Sequence, residues 1–324
     1  MLVTMFDLII QNPEEERLLD SWVIAAFPLV KDVESKISEK IIENLYECIV
    51  INVVPLARMK TPLHSLPWSI LRAVERHNME LYLAQAVCSW AKEKKISADH
   101  INNLQTYLDS EHSVQAWFYL SMLTTYIPCS KPGFVLQYFS TALNSSDLGL
   151  STLLQVSKVL LASVNYLSKE EQKTLKTDLI DLTSSFSLPV EIIPNSVDII
   201  TVILKKENKD IKVYHSALES YTVDMLLKIE DFLSEQILKI PTYKHSEKTI
   251  SRYIATLGEL AQLTSSRISK RLFLLIQSVV FFKHGQDEDK ENQAEAVFSQ
   301  EVTCRSGLGL SDLVWVYLIW SRLI

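Results

Sequence analysis

Two apolar stripes at helical spacing, separated by a short polar turn, constrain this chain more than any other feature. Around Tyr253–Leu263, Ile250, Ile254, Leu257 and Ala261 fall on one helical face; around Lys270–Val279, Ile268, Leu272, Leu275 and Val279 do the same. An antiparallel helix pair built this way cannot bury both stripes within itself. It has to stack on neighbours, so the pattern predicts one unit of a helical array.

Similar pairs recur along the chain. Met1–Ile10 is apolar, carries Asp7, lacks a basic flank and runs into Asn12-Pro13, which predicts a first helix and not a cleaved leader. Asn12-Pro13-Glu14-Glu15 then reads as an N-cap, a proline at the first helical position and an early glutamate, opening a helix to about Phe27. In the following stretch to Leu45, Pro28 falls late in one helix and Asp32 caps the next. Ile37, Ile41, Leu45 and Cys48 form its stripe, the pattern of a HEAT repeat. Pro55, Pro62 and Pro67 mark a loop. Helix pairs are expected over about 66–76 with 79–92, 98–108 with 113–126, and 133–143 with 151–166. Ser168-Lys169-Glu170-Glu171 is a capping box for a helix to about Ser184. Pro189 sits near the start of the next helix, which ends at the charged turn Lys205–Asp210. A long helix from about Tyr214 to Leu238 follows, and Pro241 breaks the chain before the last pair. The expected architecture is all-α: a HEAT/armadillo-type α-solenoid of stacked antiparallel helix pairs over residues 1–284. An acidic, polar linker is expected over 285–310 and an apolar tail over 311–324.

Composition agrees. Only 6 of 324 residues are glycine, against a usual share of roughly 7%, which leaves little material for tight turns with positive φ or for phosphate-cradling loops. The formal charge of −7 and pI near 5.6 argue against a surface that is wholly a nucleic-acid footprint. Four cysteines without a CxxC, together with the absence of a secretory signal, point to a reducing compartment. No stretch is long and apolar enough for a membrane span, and a soluble intracellular protein is expected.

No catalytic constellation emerges. His64, His77, His100, His112, His215, His245 and His284 form no HExxH and no Cys/His ligand spacing, and read as solvated or capping residues. There is no GxSxG elbow or P-loop, and Gly307-Leu308-Gly309 lacks the third glycine and preceding strand of a dinucleotide site. The chain is therefore expected to be non-enzymatic, without cofactor or metal. Cys48, Cys88 and Cys129 recur at intervals of 40 and 41 residues (88 − 48 and 129 − 88), as equivalent buried positions in successive repeats would. Lys92, Lys94, Lys95 and Lys205, Lys206, Lys209 lie at predicted helix C-termini, where the helix dipole favours cations. The same six lysines are the candidate nucleic-acid backbone contacts if the clusters share an edge of the array. Trp90 and Trp117 fall on apolar faces and are expected in the core, and none of the many Ser and Thr residues stands out as a regulatory site.

The runs Tyr253–Leu263 and Lys270–Val279, the segment Asp99–Ser113 with Ala116-Trp117, and the repeat Phe27–Leu45 resemble the HEAT-repeat D-type regulatory subunits of condensin II. The resemblance runs from about Met1 to Val280 and is most specific over Tyr253–Val279. It implies a non-catalytic scaffold that binds the kleisin of an SMC complex in mitotic chromosome condensation. Such a scaffold would act in the nucleus and on chromosomes, reach chromatin through the complex, and make no membrane contact. ATPase chemistry would belong to other subunits. Members of that family are several times longer, so the chain resembles a central fragment, an alternative product or a truncated gene. The residues alone also fit a generic HEAT-type adaptor or transport module unrelated to chromosomes.

Overall fold

The computed structural model describes residues 2–129, 131–144, 149–238 and 247–263, and every regular element among them is a helix. The chain divides into two compact units, one spanning Met1–Leu167 and one beginning at Ser168. The first holds α1 (Leu2–Gln11), α2 (Glu16–Ala26), α3 (Ser35–Leu45), α4 (Leu66–Arg76), α5 (Glu80–Lys92), α6 (Ala98–Gln105), α7 (Ser113–Leu123), α8 (Gly133–Asn144) and α9 (Leu150–Ser163). The second holds α10 (Lys169–Ser184), α11 (Ile193–Glu207), α12 (Ile211–Leu238) and α13 (Glu247–Leu263). These are the all-α, HEAT-type helix pairs that the stripes predict. The second helix of the last pair, over Lys270–Val279, the linker over 285–310 and the apolar tail over 311–324 lie outside the described residues.

Four tryptophans organise the first unit. Trp22, Trp68, Trp90 and Trp117 are all fully buried, which places Trp90 and Trp117 in the core as their spacing predicts. Burying a ring of this size removes roughly 150–250 Å² from water, an upper contribution of about 4–6 kcal/mol each at the usual coefficient. Trp22 on α2 meets Phe27 edge-on at 6.0 Å and Phe6 of α1 at 6.5 Å. Trp90 on α5 donates its indole N–H to the Ile42 carbonyl of α3 at 3.1 Å, and Trp117 on α7 packs against Phe134 and Tyr138 of α8.

Two helix starts differ from expectation. Asn12 does not cap α2; its side chain donates back to the Leu8 carbonyl at 3.0 Å and closes α1, so α2 begins only at Glu16, with Glu15 at the N-cap. An Asn following an apolar run serves as a C-terminal cap as readily as an N-terminal one. Asp32 accepts from the Glu34 N–H at 2.8 Å in a turn just before α3 and is not its N-cap, while Pro28 sits in the 3-10 turn Phe27–Lys31. On α3 the stripe is buried at Ile41 and Leu45 and half-buried at Ile37. It then enters a π turn, Tyr46–Val50, that buries Cys48, Ile49 and Val50 in succession.

In the second unit α11 packs against α10, α12 and α13. The Ser168 capping box forms as expected: the Ser168 N–H donates to Glu171 at 2.8 Å and the Glu171 N–H donates to the Ser168 hydroxyl at 3.2 Å. α12 runs 28 residues, about 42 Å at the helical rise.

Three helices end in the same way without a glycine. Asn78, Lys94 and Phe186 adopt φ of 53°, 57° and 52°, and no described glycine has a positive φ. Each is followed by paired closing bonds: Met79 to Val74 with Asn78 to Glu75, Lys95 to Trp90 with Lys94 to Ala91, and Ser187 to Leu182 with Phe186 to Thr183. These are Schellman turns, in which the left-handed residue satisfies otherwise orphaned carbonyls. Scarce glycine does not prevent positive φ here; Asn, Lys and Phe accept the strain.

Candidate interaction surfaces

The first lysine cluster sits where α5 stops. Lys92 occupies the last turn of α5, where the dipole favours a cation, and Lys94 is the left-handed residue of the closing turn. Both are exposed. Lys95 is different: its ammonium donates to Glu43 of α3 at 2.7 Å and lies 2.9 Å from Glu93. It also stands 5.3 Å from the centre of the Tyr46 ring. Hydrogen bonds to Glu43 and then to Glu93 hold the Lys95 ammonium above its ordinary pKa. Its geometry clasps α5 to α3, so Lys92 and Lys94 remain the outward cations of this cluster.

The second cluster belongs to the other unit. Lys205 and Lys206 occupy the last turn of α11 and Lys209 the turn that follows, and all three are exposed. Acidic groups interleave with them: Glu207 pairs with Lys176 of α10, and Asp210 accepts from the Lys212 N–H at 2.8 Å as α12 begins. Beside this turn, α10, α11 and α12 leave an open groove of about 430 Å³. Ile180, Leu204, Tyr221 and Met225 supply its apolar lining, and Lys176, Asp224 and Lys228 its charges. Such a surface can seat an apolar side chain between charged neighbours. Apolar stripes do not reveal it, because the face left open depends on how the helices stack. On α12 the groove is met by Ala217, Ser220 and Asp224, which do not stand out among the many polar and charged residues of that helix.

Of the described histidines, two accept backbone N–H groups, His77 meets an aspartate, His215 is exposed on α12 as a solvated residue, and His112 is buried. His100 accepts the Ser97 N–H at 2.9 Å and so occupies the glutamate position of a capping box on α6. His64 accepts the Lys60 N–H at 3.2 Å, and His77, at the end of α4, lies 3.0 Å from Asp20, which also binds Arg76 at 2.8 Å. His112 departs from the solvated role expected of it. It is buried, stacked on Trp68 with ring centres 5.1 Å apart and planes 4° from parallel, and its Nδ1 has no partner. Burial pushes its pKa below the ordinary imidazole value. His245 and His284 lie outside the described residues.

The three described cysteines are not equivalent repeat positions. Cys48 is buried in the π turn, Cys88 is half-buried on α5, and Cys129 is buried in the segment after α7. Their regular interval follows from no shared place in a helix pair. Burial pushes the Cys48 thiol up to about 12 and raises that of Cys129, so both are protonated near neutrality. Among the described residues no three His, Cys, Asp or Glu side chains converge as a metal site, and no helix is long and apolar enough to cross a membrane.

Residues 247–312, which include α13, match a family model described as condensin-2 complex subunit D3-like, HEAT repeats. The likeness extends well beyond that stretch. Over 286 residues the chain is 27% identical to condensin-2 complex subunit D3 of Mus musculus, covering 86% of this chain and 19% of that protein. This chain is similar to the D3 subunits of condensin-2. Condensin-2 complex subunit D3-L of Xenopus laevis is 23% identical over 288 residues, again 86% of this chain and 19% of the relative. The chain thus spans less than a fifth of the length of the curated relatives it matches. No solved structure matches it.

Proposed function

We propose that this chain is a non-catalytic scaffold of a condensin II-type complex. It binds the kleisin subunit, and through it the SMC subunits, on chromosomes in the nucleus during mitotic condensation. The observation that carries this reading is a likeness to condensin-2 D3 subunits spread over 86% of the chain, which one shared motif would not produce. Stacked helix pairs suit the role physically. They present rows of side chains from successive turns, so an extended peptide gains contacts pair by pair while the scaffold keeps its shape.

Direct DNA contact is a secondary part of the proposal. Lys92 and Lys94 in one unit and Lys205, Lys206 and Lys209 in the other supply backbone contacts, with Lys95 fixing the base of the first cluster. Charge reversal at Lys205 and Lys209 then weakens DNA binding and flattens its dependence on salt.

The test of complex membership is co-purification of the tagged full chain with SMC subunits and the condensin II kleisin at endogenous levels. The proposal expects all three in stoichiometric amounts. A folded chain that recovers none of them contradicts it and leaves a HEAT-type adaptor of another system.

A further inference from the structure

We infer that the groove between α10, α11 and α12 is a docking site for an extended peptide that carries one large apolar residue between a basic and an acidic one. The floor of the groove and the charges on its rim each restrict the occupant.

The floor takes the apolar side chain. The groove holds about 430 Å³, within the roughly 300–1,000 Å³ of ordinary ligand sites. Ile180 of α10, Leu204 of α11 and Met225 of α12 line it, and Leu227, 56% exposed, continues the apolar surface onto the rim. A single exposed leucine carries no message, but one that adjoins an open apolar hollow enlarges a contiguous patch. A methionine in the lining adjusts to anchors of different shape.

The rim charges are unevenly arranged. On the α10 wall Lys176 is already paired with Glu207, so that side is neutral. On the α12 wall Asp224 and Lys228 are exposed, and neither enters an ion pair with the other or with any other described residue. The contact they forgo with each other is a weak one on a helix surface, so a ligand that meets both displaces little.

Their spacing fits an extended chain. Four helical residues span about 6 Å, and alternate residues of an extended peptide stand about 6.6–6.8 Å apart on one side, with the residue between them pointing the other way. A peptide lying along α12 sets a basic side chain at Asp224 and an acidic one at Lys228, and turns the middle residue onto the floor. Two flanking acids would put one carboxylate against Asp224, and two flanking bases one cation against Lys228. The inference does not rest on membership of a condensin-type complex, and its test uses no subunit of one.

The folded full chain is panned against phage-displayed random twelve-residue peptides, in parallel with Asp224→Lys, Lys228→Glu and Ala217→Trp variants. The unaltered chain should enrich an apolar anchor flanked by opposite charges. Asp224→Lys should shift both flanks to acidic residues and Lys228→Glu both to basic ones. Ala217 lines the groove, so Ala217→Trp fills it and should weaken binding of the enriched synthetic peptide by roughly 30-fold or more in fluorescence anisotropy, as should alanine in place of the peptide's anchor. The two charge variants alter only exposed side chains, so they decide the matter even if Ala217→Trp does not fold. Failure to enrich any such peptide, or the same flanking charges enriched on both charge variants as on the unaltered chain, overturns the inference.

Discussion

The turn after α5 and the turn after α10 share one backbone and give opposite roles to the residue at its centre. Lys94 and Phe186 both take a left-handed φ and both close a Schellman turn. Lys94 is exposed. Phe186 is buried, and its ring stacks on Tyr253 of α13 at 3.6 Å, which in turn stacks on Phe232 of α12 at 3.6 Å. In the first unit the strain comes with no visible gain in packing, whereas in the second it places the aromatic that joins three elements. The units differ more widely in the same sense. The first is fastened by buried tryptophans and by side chains reaching backbone carbonyls, the second by longer helices and this aromatic ladder.

Glycine at both centres should separate the two roles most strongly. Phe186→Gly releases about 1–2 kcal/mol of left-handed strain but loses a buried aromatic ring worth about 3–5 kcal/mol. It should destabilise the second unit by about 1–4 kcal/mol in urea unfolding, with α13 losing hydrogen-exchange protection first. Lys94→Gly releases the same strain and loses no packing, so a gain of about 1 kcal/mol is expected. If Lys94→Gly destabilises the chain instead, the lysine side chain holds the turn and the contrast fails.

The capping boxes of α6 and α10 set the two units apart by pH. Ser168→Ala removes the Glu171 cap and should lower stability by about 1 kcal/mol. The α6 box uses His100 in place of glutamate, and its acceptor nitrogen must be unprotonated to receive the Ser97 N–H. Burial holds His100 below the ordinary imidazole value, against the pull of Asp99. As pH falls the unfolded chain therefore takes up this proton first, and stability drains away from about pH 6.5 downward. The Ser168 hydroxyl and N–H hold Glu171 below its ordinary carboxylate value, so the α10 cap weakens only from about pH 4.3 downward. Hydrogen exchange near pH 5.5 should find the start of α6 loosened and the start of α10 intact. Equal loosening of both caps would show that side-chain protonation does not govern them. His112→Phe keeps a flat ring against Trp68 and removes a buried titrating group, so it should also shrink the acid loss of the first unit, by the smallest amount of the set.

What can be read from the residues follows from what each signal encodes. Apolar stripes encode which face is buried, so the pairs at 66–92 and 98–123 and the core positions of Trp90 and Trp117 are legible. The Ser168 box is legible because its two partners are local in sequence. Asn12 misleads because the same side chain suits either end of a helix. The left-handed turns at Lys94 and Phe186 carry no glycine to announce them. The burial of His112 depends on Trp68, 44 positions away (112 − 68), and the groove beside α12 depends on stacking that no local pattern records. The cysteine interval is regular without meaning a repeat.

Titration of the purified full chain with the condensin II kleisin, with the condensin I kleisin as control, decides whether the chain is a condensin II scaffold. Saturable binding to the condensin II kleisin is expected, tighter by about tenfold or more than to its counterpart, a difference of about 1.4 kcal/mol. A chain that is helical by circular dichroism yet binds both equally, or neither, would contradict it.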